Sequence, residues 1–176
     1  MATTKWVLDP THSELQFKIR HLMITNVTGQ FQQFTAEAET EGDDFSSAKI
    51  NFSAEAGSIS TNNEQRDGHL KSADFFDIEK YPTLTFTSNK VEKDGDDLIV
   101  EGNLSMHGET KSVTLNVAFG GIQQDPYGQT KAGFEVTGKI NRKDFGLTWG
   151  AVTETGGVML GDDVKIIANV QLVKQS

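Results

Sequence analysis

Apolar and polar residues alternate along most of the chain. Leu15, Phe17 and Ile19 are interleaved with Gln16, Lys18 and Arg20. The same period of two runs through Ala48, Ile50, Phe52 and Ala54; Leu84 and Phe86; Leu98, Val100, Gly102, Leu104 and Met106. It continues through Val113, Leu115, Val117 and Phe119; Ala132, Phe134, Val136, Gly138 and Ile140; and Val164, Ile166, Ala168, Val170 and Leu172. A period of two sends successive side chains to opposite faces of an extended strand, so each run predicts a strand with one buried face. One run changes phase. Val27, Gly29 and Phe31 share one parity and Phe34, Ala36 and Ala38 the other, so a bulge or bend is expected at Gln32-Gln33. With that bent run taken as one, eight strands are predicted.

Turn-forming residues punctuate these strands at Gly42-Asp43-Asp44, Asp94-Gly95-Asp96-Asp97, His107-Gly108-Glu109 and Asp125-Pro126-Tyr127-Gly128. Short connections of this kind join antiparallel neighbours. An all-β, up-and-down, eight-stranded antiparallel barrel with one or two short helices satisfies the pattern, and closure removes exposed edges. A two-sheet sandwich is the alternative. A barrel of this size holds either its own side chains or one small ligand. The small inward residues Ala36, Ala54, Gly102 and Gly138 are expected to mark room for a ligand or a tight bend.

Two segments interrupt the rhythm. Thr61-Asn62-Asn63-Glu64 has the form of a capping box and predicts a short helix from Thr61 to about Lys71. It leads into Ala73-Asp74-Phe75-Phe76-Asp77-Ile78 and Tyr81-Pro82, bulky groups in a connection too long for a hairpin, which suits a lid over a barrel mouth. The second segment, Lys143 to Asp162, mixes Phe145, Leu147, Trp149 and Met159 with five glycines and is expected to cap the cavity as well.

The 176 residues fit one domain, 1–176, and a net charge of -9 lacks the basic face that nucleic acid or an anionic headgroup layer demands. No apolar run is long enough to span a bilayer. The N-terminal residues Met1 to Pro10 contain no apolar leader core, so the expected location is cytoplasmic, or periplasmic if the sequence is a mature form. Cysteine is absent, which is compatible with either compartment.

Catalytic and metal motifs are weak. The four histidines, His12, His21, His69 and His107, lack close metal-ligand spacing, so no metal site is expected; His12 and His21, flanking the first full strand, are expected near the rim. His12-Ser13-Glu14 sends neighbouring side chains to opposite faces and cannot build a nucleophile-base chain. Gly133 to Ile140 imitates a phosphate loop but places Ile140 where a hydroxyl must bind magnesium, and its interior alternates as a strand. Arg66, Asp67 and His69 on the predicted helix have two open readings, a structural network or recognition of a polar or phosphorylated head, and Arg142 is expected to face the same region.

Short segments recur in a characteristic order: Trp6-Val7-Leu8-Asp9-Pro10 with Thr11-His12-Ser13, Leu15 and Phe17; His21-Leu22; Val27 to Phe31; Ser58 to Thr61; and Arg66-Asp67-Gly68-His69-Leu70. They continue with Asp74 to Asp77, Tyr81-Pro82, Asn141 to Gly146 and Gly161-Asp162-Asp163-Val164. Together these resemble the YceI-like, polyisoprenoid-binding family over nearly the whole chain. The resemblance implies a lipocalin-like barrel whose hydrophobic interior holds a long polyisoprenoid or isoprenoid quinone, with no other cofactor, and a homodimer. It implies non-enzymatic binding, storage or transport of lipid. An enzyme acting on a bound lipid or quinone, and a filled structural or interaction barrel, are the alternatives. The expected ligand-binding residues are Phe17, Ile19, Phe31, Ile50, Phe52, Leu84, Phe86, Leu104, Leu115 and Phe134 on the inward face. Leu70, Phe76, Phe145 and Trp149 are expected to close the cavity, and His21, Arg66, His69 and Arg142 to stand at its rim.

Overall fold

Three of the long staves are each broken in two. The computed structural model describes residues 3–21, 24–147 and 160–175. Strands β1 (Thr3–Leu8) and β2 (Glu14–His21) are separated by a 3-10 turn at Pro10–His12, and β3 (Thr25–Phe31) and β4 (Phe34–Glu41) by Gln32 and Gln33. A second 3-10 turn, Ala56–Ser58, divides β5 (Asp44–Glu55) from β6 (Ile59–Ser60). The continuous strands are β7 (Thr83–Asp94), β8 (Asp97–Met106), β9 (Glu109–Gln124), β10 (Thr130–Asn141) and β11 (Leu160–Lys174). The phase slip at Gln32-Gln33 is thus a physical break. Pro10 forces the first one, because it has no N–H for a ladder, and the Asp9 carboxylate caps the turn by accepting from the Thr11 N–H at 3.1 Å.

Counted as staves there are eight, in chain order around an antiparallel barrel. The ring closes where Trp6, Val7 and Leu8 pair with Lys174, Val173 and Leu172, and where β2 pairs with β11 between Leu160 and Asn169. The sequence runs did not reach β1, the lower half of the closing stave.

The two ends of the barrel differ. One carries the turns at Gly42-Asp43, Gly95-Asp96 and residues 125–129. There the interior is sealed by Trp6, which is fully buried, with its ring centroid 4.9 Å from that of Phe45. The Trp6 indole N–H donates to the Thr40 hydroxyl at 3.0 Å, and that hydroxyl donates to the Gly42 carbonyl at 2.6 Å. At the opposite end lie helix α1 (Glu64–Lys71), the connection 72–82, the β8–β9 turn and a 3-10 turn at Arg142–Phe145. There β6 pairs with β3, and α1 with the connection 72–82 spans the interval to β7, tied by the Ala56 N–H to the Pro82 carbonyl at 2.9 Å.

The helix begins later than its capping box suggests. Asn63 is the N-cap, accepting from the Arg66 N–H at 3.1 Å. Thr61 instead donates through its N–H and its hydroxyl to Asp67 Oδ1, at 2.8 and 2.6 Å. His107 and Gly108 form the β8–β9 turn with φ of 56° and 76°, the left-handed region that hairpin turns require. The His107 Nδ1–H donates to the Phe145 carbonyl at 3.0 Å and its ring meets Tyr81 edge-on at 5.0 Å, so one side chain joins three mouth segments. Among the described residues no helix is long and apolar enough to cross a membrane.

His12 is not at the mouth. It lies at the first break, beside the turn 125–129 of the sealed end, where its Nδ1 is 2.8 Å from Asp9 Oδ2. Lys131 donates to the same carboxylate at 2.7 Å and stands 3.5 Å from Asp125. The Lys131 ammonium holds the Asp9 carboxyl well below the usual carboxylate range; burial opposes it, and His12 and Thr11 add to it. A carboxyl lowered by folding stabilises the protein above its unfolded value of about 3.9, and loses that contribution as pH falls further. Asp9→Asn is therefore expected to cost about 1–3 kcal/mol at neutral pH, with the gap to the parent protein narrowing below about pH 4. Urea unfolding at several pH values checks this, and a gap that does not vary with pH would contradict it.

Candidate functional site: an apolar cavity with a polar mouth

Inward residues of the staves surround a cavity of about 630 Å³ that runs from the mouth segments to the aromatic floor. This is within the range of small-molecule pockets, about 300–1,000 Å³. Phe17, Ile19, Phe31, Ile50, Phe52, Leu84, Phe86, Leu104, Leu115 and Phe134 all line it, as strand parity predicts. From the mouth, Leu70 and Phe76 line it too, with the Phe76 ring edge-on to Phe31 at 5.9 Å. Phe145 is buried but is not among the lining residues; its side chain packs into the core and its carbonyl holds His107. Trp149 and the side chain of His21 lie outside the described residues, as does the run 148–159.

The glycines of the wall do a different job from the one expected. A Cβ on Gly102 would overlap the Phe86 ring and the Thr87 carbonyl, and one on Gly138 would overlap Leu115. Gly29 stands likewise against the Phe17 ring. Each lets a neighbouring large side chain lie across the wall, so the space is filled by protein. Of the two alanines, Ala36 lines the cavity and Ala54 is packed in the core.

Parity also hid several lining residues. Phe45, Phe75, Leu147 and Leu8 belong to the cavity, as does Ala48 from the predicted inward run. Phe45 and Ala48 are both buried on β5 although their spacing is odd, so that strand shifts phase between them, next to the register shift at Glu39/Glu41 in β4. Gln16 and Glu37, at outward-facing positions, border the cavity where the first two staves diverge around their breaks. The lone Phe45 after a glycine turn was the available signal, but a single residue has no period.

Polar groups gather at the mouth. Arg142 is 3% exposed; its Nε donates to the Gly161 carbonyl at 2.9 Å and its Nη1 to the Leu147 carbonyl at 2.6 Å. Burial lowers the guanidinium pKa and Asp162 opposes that, but a guanidinium stays protonated at neutral pH. Arg66 donates from Nε to the Thr61 hydroxyl at 2.7 Å and from Nη2 to the Thr61 carbonyl at 2.8 Å. The structural reading of Arg66 and Asp67 is thus realised as a network around Thr61. His69 lies 2.9 Å from Asp74 through Nε2 and edge-on to Phe75 at 5.1 Å. Arg66, His69 and Arg142 line the same cavity. Among the described residues no group of three or more His, Asp or Glu side chains is placed to hold a metal ion.

A closed antiparallel barrel around a largely apolar cavity, with two arginines at one mouth, is an architecture that can enclose a hydrophobic ligand. A family model, the YceI-like domain, matches residues 6–172. The chain belongs to that family. It is similar to a UPF0312 protein of Staphylococcus epidermidis, 40% identical over 169 residues that cover 96% of each chain, and equally to one of Staphylococcus aureus. Among solved structures, the Campylobacter jejuni YceI protein superposes with a TM-score of 0.77 at 34% identity, over 90% of this chain and 91% of that one. Burkholderia cenocepacia BcnA shares the fold at a TM-score of 0.80 and 20% identity, over 93% of this chain and 98% of its own. A polyisoprenoid-binding domain from Saccharophagus degradans shares it at 0.67 and 16% identity, over 97% and 98%.

Proposed function

We propose that this chain is a non-enzymatic carrier that binds, and thereby stores or transports, a long apolar lipid of the polyisoprenoid or isoprenoid-quinone class. The observation that carries this reading is the distribution of polarity in the cavity: apart from Gln16 and Glu37 the staves line it with apolar side chains, and the guanidinium groups of Arg66 and Arg142 stand at one end. An isoprenoid tail is released from water along such a wall at about 0.8 kcal/mol per buried carbon unit, offset by the lost freedom of tail and ligand. The name of the Saccharophagus degradans domain supports the same ligand class for this fold. Arg66, His69 and Arg142, with His21 on β2, are the residues proposed to bias the choice of head group.

Mild purification followed by native mass spectrometry and lipid extraction tests the proposal. A co-purifying prenyl lipid, or micromolar binding to a panel of prenyl alcohols and quinones, is the expected result. An empty protein that binds none of them would overturn it.

A further inference from the structure

The cavity ends on aromatic rings. Phe45 and Phe134 both line it, with centroids 4.9 Å apart and planes at 71°. Behind them, Trp6 packs on Phe45 at 4.9 Å and Phe119 on Phe134 at 5.3 Å. Next to this floor the inward positions on β4 and β5 are small. Ala48 follows Phe45 along β5, and Ala38 on β4 pairs with Trp6 on one side and Ile50 on the other. Both alanines are buried and both line the cavity.

A ligand whose polar end stays among Arg66, His69 and Arg142 must direct its tail at this floor. We propose that Phe45 sets the longest tail the barrel encloses in full, and that Ala38 and Ala48 form the pocket for the terminal unit of that tail. This rests on the lipid-carrier reading. Each further carbon strengthens binding while there is apolar wall to cover, and carbons that cannot pass the floor remain in water at the mouth and add nothing. Affinity therefore rises with tail length and levels off at a length that Phe45 determines.

Prenyl alcohols of stepwise increasing isoprene number, competed against a fluorescent apolar probe, test this with the full chain. Removing a large side chain from an apolar interior opens a dry void that takes a benzene-sized guest, so Phe45→Ala should move the levelling-off point up by about one isoprene unit. An alcohol one unit beyond the parent limit should bind it about tenfold more tightly than it binds the parent. Ala48→Leu should move the point down. Near-ultraviolet circular dichroism checks folding, and if Phe45→Ala does not fold, Phe45→Leu and Ala48→Leu decide, since neither removes the floor. An unmoved levelling-off point in folded variants overturns the inference, as does affinity that keeps rising with length in the parent; both leave the carrier reading standing. Failure of the parent protein to bind any of the alcohols overturns both.

Discussion

Ala36→Trp is expected to weaken binding of a prenyl lipid about a hundredfold while leaving the barrel folded. Ala36 is on β4, paired with Phe52, and lines the cavity between the mouth and the floor. An indole there occupies space that about four tail carbons would otherwise cover; at about 0.8 kcal/mol each this is about 3 kcal/mol. In a well-packed core such an enlargement costs about 1–3 kcal/mol of stability, because neighbours must move. Here the ring enters a cavity, so the change in unfolding free energy should stay below about 1 kcal/mol. Glu39→Trp, on the outward face of the same strand, is the control and should bind as the parent does. Probe displacement and native mass spectrometry read the result. If Ala36→Trp carried lipid as the parent does, the ligand would have to sit elsewhere.

The largest loss of stability is expected at the other end of the cavity. Trp6→Ala should cost about 3–5 kcal/mol, a large part of the 5–15 kcal/mol that holds a domain of this kind together. Trp6 is fully buried, packs on Phe45 and donates to Thr40. Its strand is also where the ring closes against β11. Trp6→Phe keeps most of the burial and gives up the indole hydrogen bond, while Thr40 retains Gly42 as its acceptor, so the cost should fall to about 1–2 kcal/mol. Urea unfolding followed by far-ultraviolet circular dichroism measures both. Equal costs would mean that the hydrogen bond, and not the packing, dominates.

The staves were legible because alternation is a local property. A strand with one face in water and the other in the interior must change polarity at each residue, and eight such runs appear in order. The hairpin turns were legible for the same reason, since Gly42, Gly95 and the His107-Gly108 pair adopt left-handed backbone that few residues tolerate. The lining residues on continuous strands followed from parity. Where a strand shifts phase, as between Phe45 and Ala48, parity misleads, and β1 escaped notice because Lys5, Trp6 and Val7 show no clean alternation.

The amino-acid sequence by itself determined the fold class, the number and order of the staves, the inward face of most of them and the family to which the chain belongs. The tertiary structure decided which inward residues fill the interior and which border empty space, and why one end is sealed and the other polar. Those outcomes depend on contacts between residues far apart in the chain: Trp6 with Thr40, Phe45 with Phe134, and Arg142 with the Gly161 carbonyl. A cavity is what remains after such volumes are summed across all the staves, and no local pattern of residues carries that sum.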